Sequence, residues 1–185
     1  MSDLNELIVQ QTQNWLQSFI IQFNICPFAK REVERASIRF QVAEAKKIEQ
    51  ALEELMLEIE LLNQNPKIET TLLIFPALFK DFFDYLDFVD LAERLLLDSG
   101  YEGIYQLASF HPEYCFAEVD FDDVSNYTNR SPYPMFHLLR EESVEKAIAY
   151  YGDTERIPEN NIATMHKLGL EAVKEIRLNC MNIVK

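Results

Sequence analysis

Between residues 38 and 110 two hydrophobic periods take turns, and few folds accommodate that order. "SIRFQVAEA" sets Ile38, Phe40 and Val42 against Arg39 and Gln41, the period of two expected of a strand with one buried face. Ile48, Leu52, Leu55, Ile59 and Leu62 then follow helical spacing, and Pro66 closes the run. "TTLLIFP" is a short continuous apolar stretch, read as a strand covered on both faces. A second helical stripe runs through Phe82, Tyr85, Leu86, Val89, Ala92 and Leu96 and stops near Gly100, after which "GIYQLASF", 103–110, is a third strand. Helices of this length serve as crossovers. The order therefore predicts an α/β domain with a small parallel or mixed sheet on a βαβαβ core, with a ferredoxin-like α+β arrangement as the alternative.

The flanks add helices. Leu4, Leu7, Ile8, Trp15, Leu16, Phe19, Ile20 and Phe23 form one apolar stripe, with Ser2 or Asp3 as its cap and "NICPF" as its end. A helix is expected after Pro134, and another over Ile157–Cys180 with Pro158 in its first turn and Gly169 on its packed face, where the missing side chain would let another element approach. "CFAEV" is expected to add a short edge strand. At 185 residues the chain is long enough for one good core, so residues 1–185 are read as a single domain.

Composition narrows the partners. Seventeen basic against 31 acidic residues give a formal charge of −14, which repels nucleic-acid backbones and anionic membranes on average and makes any cluster of arginines informative. No apolar run approaches the ~20 residues of a membrane span, and "MSDLNELIVQ" carries acids where a secretory signal carries bases; a cytoplasmic protein is expected. Cys26, Cys115 and Cys180 show no paired spacing, so reduced thiols are the default. Nothing in the pattern specifies a cofactor or an oligomeric state.

With three parallel strands, Glu44, Pro76 and His111 fall at one carboxyl edge, where open α/β sheets bind ligands. His111 is then either an acid–base group or a histidine satisfied by a loop carbonyl. Cys26 sits in a polar turn before Pro27, with Lys30 and Arg31 near enough to lower a thiol pKa; it is either a nucleophile served by His111 or a buried, inert cysteine. In "TNRSPYP", Pro132 and Pro134 stiffen a loop that would hold Asn129, Arg130 and Tyr133 in set directions.

A helix starting after Pro134 would place His137, Arg140, Glu141, Val144, Ile148 and Tyr151 on one face, driving polar groups inward. Either it breaks near Ser143, or its polar end lines a pocket or a buried network. Lys30, Arg31, Arg130, His137 and Arg140 would together make a cationic recess suited to a carboxylate or phosphate, with His111 or His137 as acid or base. A metal site of His111, His137 and Glu141 ranks lower, having no local motif.

"NICPFAK", "LASFHPEY", "NYTNRSPYP", "HLLRE" and "IPENN", in this order and with these gaps, resemble the uncharacterised bacterial family called domain of unknown function 1415. The resemblance covers nearly the whole chain and implies a single-domain bacterial protein. It adds weight to Cys26, His111, Asn129, Arg130, Tyr133, His137 and Arg140 as a site without assigning roles. The expectation is an enzyme or binding protein for a small anionic ligand, in a pocket built from the NICPF, FHP and TNRSPYP/HLLRE segments. The alternative is a protein-interaction or self-association module.

Overall fold

The computed structural model describes residues 3–182, so Ser2, one of the two expected caps, lies outside the described residues. Helix α1 (Asp3–Trp15) continues directly into a π-helical turn, Leu16–Ile21. There the Gln22 N–H donates to the Gln17 carbonyl at 3.2 Å and the Ile25 N–H to the Ile20 carbonyl at 2.9 Å, five residues back instead of four. A short α2 (Ala29–Glu34), which no period announced, leads into β1 (Ile38–Val42); α3 (Ile48–Gln64), β2 (Thr70–Ile74), α4 (Phe82–Asp98) and β3 (Tyr105–Phe110) follow in the order that the alternating periods predict. The α4 start is sharp because the Asp81 carboxylate accepts from the Phe83 N–H at 2.8 Å and the Asp84 N–H at 3.2 Å.

Beyond Phe110 the chain departs from expectation. "CFAEV" forms turns and no strand. A 3-10 segment, Val124–Thr128, leads through the proline loop into β4 (Met135–Arg140), where a helix was expected. β4 inserts between β2 and β3, giving the order β1-β2-β4-β3, with β1 and β2 parallel and β4 antiparallel to both its neighbours. β1, β2 and β3 thus all point one way, but the sheet is mixed. The adjacent parallel pair also separates it from the antiparallel ferredoxin-like sheet.

α5 (Glu141–Tyr151) starts as soon as β4 ends. The expected last helix divides at Gly169 into α6 (Ile157–Leu168) and α7 (Leu170–Met181). A Cβ built at Gly169 meets nothing within 4 Å, so close approach is not the reason for glycine there; its φ of +81° is. No helix among the described residues is long and apolar enough to cross a membrane.

Each sheet face carries its own core. On one, α3 and α4 bury Leu55, Ile59, Leu62, Phe88 and Ala92 against Leu73, Phe136 and Leu138. Phe88 stacks on Phe79 at 4.2 Å and on Phe136 at 4.9 Å between ring centroids. The buried Tyr85 hydroxyl donates to the Met135 carbonyl at 2.8 Å and accepts from the Phe110 N–H at 3.1 Å, tying α4 to the ends of β4 and β3. On the other face, α1, the π turn, α6 and α7 supply Ile8, Trp15, Phe19, Met165 and Val173 over Val42, Leu72, Ile74 and Met135. The cavity described next opens within this second layer.

Candidate functional site

Alternation along a strand decides which side chains share a face. Gln106, Ala108 and Phe110 of β3, Met135, His137 and Leu139 of β4, Thr70 and Leu72 of β2 and Ile38 of β1 all turn toward the α1 side. His137 stands in the middle, paired with Leu72 on one strand and Ala108 on the other. Trp15, Leu16 and Ile20 reach over them from the helix, Cys26, Phe28 and Ala29 from the turn that follows, and Val144 and Ala147 from α5. These elements do not close on the sheet, and a cavity of about 370 Å³ remains. That volume lies in the range of small-molecule sites, about 300–1,000 Å³. It runs from Ile38 and Thr70 at the amino ends of β1 and β2 to Phe110 and Asn129 at the carboxyl end of β3, so it touches the expected carboxyl edge at β3.

The wall is mostly apolar, and several of its polar groups lack protein partners. The His137 ring makes no hydrogen bond with any described residue, yet its nitrogens are not sealed off from solvent. Burial alone pushes its pKa down from 6.5 to about 4, which leaves the imidazole neutral at physiological pH. Both Glu69 carboxylate oxygens are likewise without a partner, Oε1 being shut away from solvent, and the indole N–H of Trp15 is buried and unpaired. Gln106 offers a free amide. Buried polar atoms nearly always find a hydrogen bond to protein or water, and two that find none among the described residues, Trp15 Nε1 and Glu69 Oε1, belong to residues of this wall.

The expected site residues divide by sheet face. His137 and Asn129 line the cavity; the Asn129 amide donates to the Ser109 carbonyl at 3.3 Å, and its Oδ1 accepts from the Thr128 hydroxyl at 3.1 Å. Cys26 lines it too. Burial raises the Cys26 thiol pKa, against a smaller opposite effect of the Phe28 and Ala29 backbone, which favours the buried, inert cysteine of the two alternatives. Lys30 is exposed and pairs with Glu34 at 3.9 Å. The Tyr133 hydroxyl donates to Gln11 Oε1, a contact between the proline loop and α1.

His111 lies on the other side of the sheet, 1% exposed, against the rings of Phe82 and Tyr85. Its Nδ1 accepts from the Glu113 N–H at 3.0 Å, which leaves Nε2–H to donate to the Phe79 carbonyl at 2.8 Å. Both nitrogens are engaged, so His111 is no base for Cys26. Nor do His111, His137 and Glu141 assemble as ligands; among the described residues no three such side chains group to hold a metal.

The expected anion clamps are corrected in the same way. Arg130, 6% exposed, lies over the rings of Phe121 and Tyr127 and donates to the Tyr114 carbonyl at 2.9 Å and the Phe121 carbonyl at 2.7 Å. Arg140 borders the cavity, but its guanidinium turns to the α3 side and donates to the carbonyls of Leu62 at 2.6 Å and Ile68 at 3.0 Å. Both guanidinium groups hold the fold together through backbone acceptors. Glu141 begins α5 and borders a separate surface depression with Gly103 and Tyr105.

Sequence reading missed Trp15, Glu32, Glu69, Gln106 and Asn161 as lining residues. Gln106 carried a signal, being the polar member of an inward β3 face. Asn161 stands within "IPENN" and donates to the Ile25 carbonyl at 2.9 Å, holding α6 to the turn that bears Cys26. Glu69 carried none.

The family model described as "Protein of unknown function (DUF1415)" matches residues 7–175. No curated protein and no solved structure matches the chain.

Proposed function

The chain belongs to this family of unknown function, and from its cavity we propose that it binds a small, largely apolar molecule, reading one polar group of the ligand through the neutral His137 imidazole. The observation that carries this reading is the unpartnered His137 ring in the centre of an apolar wall. A ring that stays uncharged hydrogen-bonds a hydroxyl, carbonyl or amide without the cost of burying a charge. An anionic ligand fits poorly. Among the described residues the cavity is lined by two cations, Arg140, whose guanidinium is engaged on the α3 side, and Arg31, whose Nε donates to Glu32 Oε1 at 2.6 Å, while Glu69 adds a second carboxylate. The protein works as one cytoplasmic domain with free thiols, and nucleic acid is not its ligand.

1-Octanol is a suitable uncharged probe. At ten times its Kd it should stabilise the fold by about 1.4 kcal/mol and raise Tm by about 3–5 °C. The His137 ring nitrogens should shift in long-range ¹H–¹⁵N spectra, which three histidines leave uncrowded. Ala108→Phe, which fills the cavity floor, should remove both effects. If sodium octanoate stabilises the protein more than octanol does, the anionic reading replaces this one; if neither acts, the cavity is not a ligand site.

A further inference from the structure

The carboxylates on the cavity wall differ in how their charge is met. Glu32 is neutralised locally: its Oε1 accepts from Arg31 Nε at 2.6 Å and lies 3.9 Å from Arg35, while Oε2 accepts from the Ser37 hydroxyl at 2.7 Å. Glu69 has none of this. Its backbone N–H is held by the Ser37 carbonyl at 2.9 Å, which fixes the residue at the entry to β2, but no described hydrogen bond or ion pair reaches its side chain. Arg140, the cation bound to the carbonyl of neighbouring Ile68, spends its guanidinium on backbone oxygens and Tyr105. A half-buried carboxylate without donors, in a chain whose formal charge is already −14, lacks a positive counterpart.

We propose that the ligand supplies it: the bound molecule carries a protonated amine on an apolar body, with the ammonium at Glu69 and the free Gln106 amide, and the apolar part along Leu72, Ala108 and Phe110. This rests on the reading of the cavity as a small-molecule site and deepens it. Primary ammonium has donors and no acceptor, which matches the unpartnered Glu69 Oε2, the carboxylate oxygen that is not shut away, and the Gln106 carbonyl. His137, level with Ala108 on the same face of the sheet, then meets a second polar group of the ligand.

Three probes of equal length separate this from the broader reading: octylammonium, 1-octanol and octanoate, titrated calorimetrically at pH 7.4 below their aggregation concentrations. Octylammonium should bind wild type about tenfold more tightly than octanol or better, as expected for a hydrogen bond to a charged group. Glu69→Gln should erase that preference, so that octylammonium binds the variant no more tightly than octanol binds the same variant. Should octanol bind wild type and octylammonium bind no better, the cationic head is wrong while the apolar cavity stands. If the amine preference survives in Glu69→Gln, another group provides it and the assignment to Glu69 fails. Binding by none of the three overturns both readings. The wild-type comparison needs no variant, so a folding defect in Glu69→Gln does not leave the question open.

Discussion

Acid should find His137 first. In the folded chain its pKa is near 4 and in the unfolded chain near 6.5, so on acidification the unfolded chain takes up the proton before the folded one does. The stabilising contribution is complete above about pH 6.5 and is lost as pH falls through the window down to about 4. The full gap corresponds to about 3 kcal/mol, and the part lost between pH 7 and pH 5 to about 2 kcal/mol. With a urea dependence of about 2 kcal/mol per molar, the denaturation midpoint should fall by about 1 M from this residue alone. Burial lowers the His111 pKa too, so it contributes with the same sign and wild type alone is ambiguous. The decisive comparison is with His137→Gln, measured by urea titration at pH 7 and pH 5. Its baseline stability will differ, but its loss between the two pH values should be smaller than that of wild type by about 2 kcal/mol. Parallel losses in the two proteins would refute the claim that this ring is held neutral in the cavity.

Arg130→Gln should destabilise the fold by about 2–4 kcal/mol, because the carbonyls of Tyr114 and Phe121 lose their donors and two aromatic rings lose their cation. Octanol binding per folded molecule, followed by calorimetry, should stay unchanged, whereas an anion-clamping arginine would show the reverse pattern. Gly169→Ala forces φ = +81° on a residue with a side chain and should cost about 1–3 kcal/mol in thermal denaturation, although the added methyl touches nothing. Cys26 should alkylate with iodoacetamide more slowly than a free thiol at pH 7, since burial raises its pKa. Octanol should slow it further, and a rate above that of free cysteine would restore the nucleophile.

Much of the architecture was legible because the signals are local. β1, α3, β2, α4 and β3 each announce themselves by period, and three strands pointing one way follow from helical crossovers long enough to return the chain. β4 was hidden by its position. A strand buried on both faces has no polar side to reveal a period of two, so "MFHLLR" reads equally well as the first turns of the helix that follows it. The sequence put His137 and Arg140 on one face of an expected helix, but they lie on a strand and turn to opposite sides of the sheet. Helical counting placed both on one side. The strand puts His137 in the cavity and the Arg140 guanidinium on the opposite side, among the carbonyls at the end of α3.

By itself, then, the sequence determined the α/β class and the net acidic charge, the first because its signals lie close together along the chain and the second because it is a sum over residues. Tertiary structure alone decided the partners of the charged side chains. Arg140 meets carbonyls 78 and 72 residues away and Arg130 one 16 residues away, and no spacing rule encodes such encounters. The cavity is a property of the same kind. It is the space that α1, the π turn and α5 leave over the sheet, and an unfilled gap becomes visible only once every surrounding element has been placed.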